Sequence, residues 1–173
     1  MPTIGVAIAI PEPWATELQD YRTAVGDTTA TMIPTHITLV PPTEIEDDCL
    51  DAVVHHLEGA AADVAGYNVH LRGTGTFRPV SPVVFVTLVE GISACEQLAS
   101  RIRRGPLAVE LAHPYHPHVT VAHHLPDDLL DRAFAELGDY ECEFEVTEFH
   151  LYVHDDESGW RPTHHFALRP AEG

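Results

Sequence analysis

The sequence predicts a mixed strand-and-helix fold: one domain made of two lobes related by a pseudo-twofold axis. Three observations lead there. The chain has 173 residues, about one domain's worth. Its composition, 45 % hydrophobic and 21 % charged, is that of a chain with a core and not of a disordered one. The order strand, helix, strand, helix, strand runs through it twice. Each time the second strand carries a His-x-Thr triplet, His36-Ile37-Thr38 and then His118-Val119-Thr120. The triplets lie 82 positions apart (118 − 36). That period is too long for a solenoid, and two copies are too few.

The elements follow from local pattern. Gly5–Ile10 is an apolar run suited to a buried strand. Pro11–Thr23 is read as helical, with Pro13 at its start and Trp14, Leu18 and Tyr21 at helical spacing. His36–Val40 is a strand closed by Pro41-Pro42, and Asp47–Val64 a helix carrying Leu50, Val53, Val54 and Leu57. Tyr67–Phe77 is extended; its Gly73-x-Gly75 lacks a dinucleotide-loop context and marks a bend or bulge. In the second half, Val83–Leu88 is a β-branched and aromatic strand. A helix capped by Ser93 reaches about Arg104, and His118–Ala122 is a strand. Asp127–Leu137 is a helix; Cys142–His154 and Trp160–Leu168 are strands joined by a turn at Glu157-Ser158-Gly159. The Pro-rich stretch Arg78–Pro82 is the expected boundary between lobes of about 1–79 and 80–173. Lobes this small share one core.

Charge narrows the partners. Asp and Glu number 27 against nine cations, all Arg, for a formal −18. Such a chain repels a long polyanion, which excludes gripping of long duplex nucleic acid. A small anion in a local pocket, or the end of an RNA, remains open. No apolar run approaches the roughly 20 residues that span a bilayer. The first apolar run has no Lys or Arg before it, as a secretory signal would. Cys49, Cys95 and Cys142 are scattered and odd in number, which argues against a disulfide framework and for a reduced, cytoplasmic protein.

Histidine is over-represented, at 13 residues. The cluster His113, His116, His118, His123, His124 invites a zinc site. Pro114 and Pro117 break any helix that would stack those rings, and no zincin-like Glu accompanies them. The expectation is therefore no metal and no cofactor. Arg101, Arg103 and Arg104 suit a helix C-terminus. Phe77 and Tyr115 suit either the core or a stacked base, and Trp14 and Trp160 suit packing.

The triplets carry the chemistry. Residues i and i+2 of a strand share a face, so His36 projects with Thr38, and His118 with Thr120. Two such strands facing one another line a cleft with two imidazoles and two hydroxyls. A neutral His can take a proton from an attacking oxygen while a protonated one gives a proton to the leaving oxygen. The Thr hydroxyls can hold non-bridging phosphate oxygens. Unperturbed imidazoles, with a pKa near 6.5, put the optimum of such a pair at roughly pH 6–8.

Pro34-Thr35-His36-Ile37-Thr38-Leu39 and Pro117-His118-Val119-Thr120-Val121-Ala122 resemble the two signature motifs of the 2H phosphoesterase superfamily. The nearest branch is the bacterial 2′-5′ RNA ligase and RNA 2′,3′-cyclic phosphodiesterase family. The resemblance covers nearly the whole chain, the Gly73-Thr74-Gly75-Thr76-Phe77 segment included. It implies an α+β bilobal fold with antiparallel sheets around a central cleft. It implies that His36 and His118 are the catalytic pair, and that Thr38 and Thr120 bind the phosphate. The function implied is metal-independent hydrolysis of a 2′,3′-cyclic phosphate on a small nucleotide or an RNA 3′ end by a monomer, with reversible 2′-5′ ligation as a side reaction. The alternative is a non-catalytic nucleotide or RNA-end binding module on the same scaffold.

Two departures stand out. That branch often ends its second motif in Arg, where this chain has His123 followed by His124, and Tyr115-His116 precedes the motif in place of a basic residue. In a regular strand His123 points away from His118 and His124 points with it; a bulge reverses this.

Overall fold

The computed structural model describes residues 1–27, 34–111 and 114–170. Eight strands and four α-helices follow one another as β1 (Thr3–Ala9), α1 (Trp14–Ala24), β2 (His36–Glu44), α2 (Leu50–Ala62), β3 (Tyr67–Thr76), β4 (Val83–Glu90), α3 (Ile92–Ile102), β5 (His118–His123), α4 (Asp127–Glu136), β6 (Glu141–Val146), β7 (Glu148–Asp155) and β8 (Gly159–Ala167). They form two four-stranded sheets, ordered β2-β1-β7-β8 and β5-β4-β3-β6. Every strand pair in both is antiparallel.

The sheets do not follow the midpoint of the chain. Arg78–Pro82, the expected lobe boundary, is the turn of a hairpin that joins β3 to β4 inside the second sheet. The first sheet takes β1 and β2 from one side of that turn and β7 and β8 from the other. The segment expected as one strand, Cys142–His154, divides at Thr147. Its first part pairs with β3 at the edge of the second sheet, and its second part lies between β1 and β8 in the first. The chain thus steps from one sheet to the other with a single residue between strands.

Helix limits depart from expectation where capping decides them. The first helix starts at Trp14, not Pro11, because the Glu12 carboxylate accepts from the Thr16 N–H at 3.1 Å and from its hydroxyl at 2.6 Å. The third starts at Ile92, and Ser93 lies inside it. Gly91 provides the entry with φ +94°, a left-handed conformation costly for residues with a Cβ. The second strand runs through Pro41 and Pro42 to Glu44. It is an edge strand, where a missing N–H breaks no ladder bond.

The helices bind the sheets crosswise. Helix α1, between β1 and β2, packs on β5 of the other sheet, and α3, between β4 and β5, packs on β2. Ile37 and Leu39 of β2 and Val119 and Val121 of β5 are buried, and both sheets contribute to one continuous apolar core. The cysteines are free, with Cys95 and Cys142 buried and Cys49 half-buried. No helix among the described residues is long and apolar enough to cross a membrane. Phe149 is wholly buried and stacks on Phe166 with centroids 5.2 Å apart, in the strand that ties the last quarter of the chain into the first sheet. Phe149→Ala is expected to cost ~3–5 kcal/mol, read as a lower urea midpoint with an unchanged slope.

Candidate active site

The two triplets sit on the two edge strands β2 and β5, which approach one another across the cleft. Both strands carry the same irregularity. In β2 the partners run His36↔Ala9, Thr38↔Ala7, then Val40↔Val6, so Leu39 is the extra residue. In β5 they run His118↔Thr87, Thr120↔Phe85, then Ala122↔Val84, so Val121 is extra. Each bulge buries two consecutive residues and reverses the alternation beyond it. His123 pairs with Val83 and so shares the face of Phe85, Thr87, His118 and Thr120. The bulge thus decides the question that strand parity left open, and His123 belongs to the site face. His124 leaves the strand with φ +54°, its ring centroid 3.8 Å from that of His123 and tilted 51° to it.

The imidazoles are held alike. His36 Nδ1 lies 2.8 Å from the Pro34 carbonyl, and His118 Nδ1 lies 2.7 Å from the His116 carbonyl. A carbonyl only accepts, so Nδ1 carries the hydrogen in both rings. When neutral, each ring then presents Nε2 as a lone pair. The carbonyls are available because residues 34 and 116 precede the strands and lie outside the ladders. Thr35 anchors the first turn: it is buried, its hydroxyl donates to the Ala15 carbonyl at 3.0 Å, and its own carbonyl accepts from Ile10 N–H.

Protein surrounds both rings, although each keeps a solvent-reachable edge. Burial pushes the His36 pKa down to about 4, with the nearby Arg22 and His118 charges adding to the effect and the Pro34 hydrogen bond opposing it. Burial also lowers His118, against the His116 carbonyl and together with the His116 ring. Phe77 and Phe85 account for that burial, with centroids 4.9 and 5.1 Å from the His118 ring. Gly75 makes room for Phe85: a Cβ there would lie 2.7 Å from the ring carbons. Gly73 takes φ +76° where the β3–β4 register slips, the bulge expected of this segment. Behind His36, Arg22 forms a buried ion pair with Asp27 at 2.8 Å.

Two hollows flank Thr38. One borders His36, with Gly5, Ala7, Tyr152 and Trp160; the other, about 680 Å³, borders His118, with Phe77, Tyr115 and His116. Tyr115 donates its hydroxyl to the Thr38 carbonyl at 2.8 Å and lies beneath the Arg103 guanidinium, linking the loop before β5 to β2. The four residues singled out in the sequence thus line facing strands, with Thr120 opposite Phe85. Trp14 packs near Phe144 as expected, but Trp160 lines the site. His113 of the zinc reading lies outside the described residues.

Two matched imidazoles in hollows that meet at Thr38, with an apolar lining, suit proton transfer on either side of a small anion; Thr120 shares the His118 face but lines neither hollow. Comparison with known proteins follows the same line. The family model described as the 2′-5′ RNA ligase superfamily matches residues 10–158. A protein of Oceanobacillus iheyensis named "Putative phosphoesterase" is 26 % identical over 158 residues, covering 87 % of this chain and 91 % of its own. A protein of the same name from Bacillus cereus is 28 % identical over 146 residues, 82 % of each chain. Among solved structures, TT0787 of Thermus thermophilus superposes with a TM-score of 0.69 at 22 % identity, over 99 % of this chain and 100 % of that one. LigT of E. coli, complexed with 3′-AMP, gives 0.66 at 21 % identity, over 97 % and 99 %. These two likenesses are of fold, and they bear out the antiparallel two-sheet architecture.

The His36 environment makes a testable statement about stability. A His pKa lowered to about 4 means that the native state binds fewer protons than the unfolded chain between about pH 4 and pH 6.5. Stability is therefore lost as pH falls through that window. In urea denaturation at pH 7.0 and 4.5, His36→Gln should lose less stability on acidification than the wild type, and the His36 ring proton should titrate near pH 4 by NMR. An equal loss in both proteins would contradict it.

Proposed function

The chain belongs to the 2′-5′ RNA ligase superfamily of 2H phosphoesterases, and from that premise we propose that it is a metal-independent phosphodiesterase opening a 2′,3′-cyclic phosphate on a small nucleotide or an RNA 3′ end. The observation that carries this reading is the matched tethering of two buried imidazoles through Nδ1, which leaves both Nε2 atoms for the cleft.

His36, held neutral more strongly, is the general base, and its Nε2 takes a proton from the attacking water. His118 enters protonated and gives its Nε2 proton to the departing ribose oxygen. One P–O bond forms, one breaks, and a phosphomonoester remains. Thr38 and Thr120 donate their hydroxyls to the non-bridging oxygens, whose charge changes on the way to the transition state. In the free protein burial disfavours an imidazolium, and a phosphate monoanion between the rings supplies the counter-charge that lets one form. Attack by a ribose hydroxyl in place of water gives ligation. The formal charge of −18 favours a small monoanion over a long polyanion.

Three outcomes test this. His36→Ala and His118→Ala should each lower turnover of 2′,3′-cyclic AMP by ~10²–10⁴-fold with thermal midpoints little changed. Survival of nucleotide binding in both, with no wild-type turnover to lose, would instead mark a binding module. Second, EDTA should leave the rate intact, and loss restored by a divalent ion would overturn the metal-independent mechanism.

The third is the pH profile. The form with one proton shared by the pair predominates between its two coupled pKa values. Burial lowers both histidines, so the optimum of kcat/KM, which reports the free enzyme, falls on the acid side of 6.5. This shifts the range of roughly pH 6–8 expected from unperturbed imidazoles. A rate rising steadily to pH 10 would point to hydroxide attack and contradict the two-histidine mechanism.

A further inference from the structure

The two lobes place their bulk differently beside the threonines. In the second sheet the cross-strand row that starts at Thr120 continues through Phe85 to Gly75, and the Phe85 ring covers that glycine. In the first sheet the matching row starts at Thr38 and continues through Ala7 to His150 and then His165. Here the small residue lies next to the hydroxyl, and the ring stands one strand further out. Phe85 fills the floor beside Thr120, whereas beside Thr38 a hollow of about 80 Å³ has Ala7, Thr38 and His36 in its wall. That is the space of about two or three waters, enough for a phosphate group and too little for a nucleoside. Neighbouring strands lie about 4.8 Å apart, so the Thr38 and His150 backbones are roughly 10 Å apart, one on either side of Ala7.

His150 is half-buried, and the two-histidine mechanism makes no use of it. Its Nδ1 is buried with no hydrogen-bond partner among the described residues, whereas Nε2 reaches solvent. An orphaned lone pair costs less than an orphaned N–H, so the hydrogen sits on Nε2, the reverse of His36 and His118. A second proton would bury a charged N–H without an acceptor. Burial lowers the His150 pKa, Glu148 on the same face opposes it, and the His165 ring, centroid 6.4 Å away, adds to it. We propose that His150 is a further substrate-binding residue, a neutral imidazole that donates from Nε2 across Ala7 to a non-bridging oxygen of the phosphate held at Thr38. This rests on the phosphodiesterase reading and adds to that site a donor not consumed by proton transfer. A neutral donor also holds the anion without a further positive charge beside His36.

Calorimetric titration of the whole protein with inorganic phosphate at pH 7 tests the contact. His150→Leu should weaken phosphate binding about tenfold, as loss of a hydrogen bond to a charged group does. His150→Gln, whose amide N–H stands near the place of Nε2, should recover most of that loss. An unchanged phosphate affinity in His150→Leu overturns the proposal, and so does an equal loss in His150→Gln. Nitrogen NMR of the wild type reads the same contact without a substitution. The His150 hydrogen should be on Nε2 and stay there as phosphate saturates the site, with the Nε2 resonance shifted. A hydrogen on Nδ1, or an Nε2 resonance that phosphate leaves in place, overturns it as well. Each of these results leaves intact the dependence of 2′,3′-cyclic AMP turnover on His36, whereas failure of the phosphodiesterase reading shows as turnover that ignores His36→Ala.

Discussion

Two short hydrogen bonds organise this molecule's chemistry: His36 and His118 each give the Nδ1 hydrogen to the carbonyl two residues earlier. An imidazole free to rotate about χ1 and χ2 would present either nitrogen, in either tautomer. Tied in this way, each ring has one nitrogen left for the cleft. The tether depends on the strand beginning at the histidine itself, since the carbonyl before a strand is not taken by a ladder. It also depends on the buried neighbours that hold the turn, Thr35 against α1 in one lobe and Pro117 in the other. The crossed helices serve the same end: α1, which precedes β2, packs on β5, and α3, which precedes β5, packs on β2, so each edge strand bearing a histidine is held by the helix that leads into the other.

The second constraint is charge. A chain at −18 must attract an anion with positive charge placed locally. Arg22, behind His36, is buried and shares its charge with Asp27 at 2.8 Å. Its field acts on His36 and helps to keep that ring neutral. In the proposed mechanism, positive charge at the phosphorus is therefore supplied by a proton that the site holds weakly until an anion arrives. In that mechanism binding, protonation and catalysis are linked through one equilibrium, set by the burial that lowers His36 and His118.

How much of this was legible in the sequence depended on range. Alternation within a strand is a local property, so the pairing of His36 with Thr38 and of His118 with Thr120 could be read directly, as could most helices from their spacing. The bulges could not: Leu39 and Val121 are extra only relative to β1 and β4, strands distant in sequence. The side taken by His123 follows from that and was open until the register was known. The same holds for Cys142–His154, whose β-favouring run gives no sign that Thr147 separates two sheets, and for Arg78–Pro82, where prolines serve a hairpin as well as a boundary. Trp160 reads as a packing residue until its ring is seen lying over Gly5, a contact between the first strand and the last. The motif resemblance bridged part of that range, because it carries the outcome of long-range pairing in a short string.

The most direct test of the account is nitrogen NMR of the two imidazoles at pH 7, first in the free protein and then with saturating 3′-AMP. The account predicts both rings neutral with Nδ1 protonated when free, and one of them converted to imidazolium when the phosphate is bound. Rings already charged in the free protein, a hydrogen found on Nε2, or no change of charge on adding the nucleotide would contradict it.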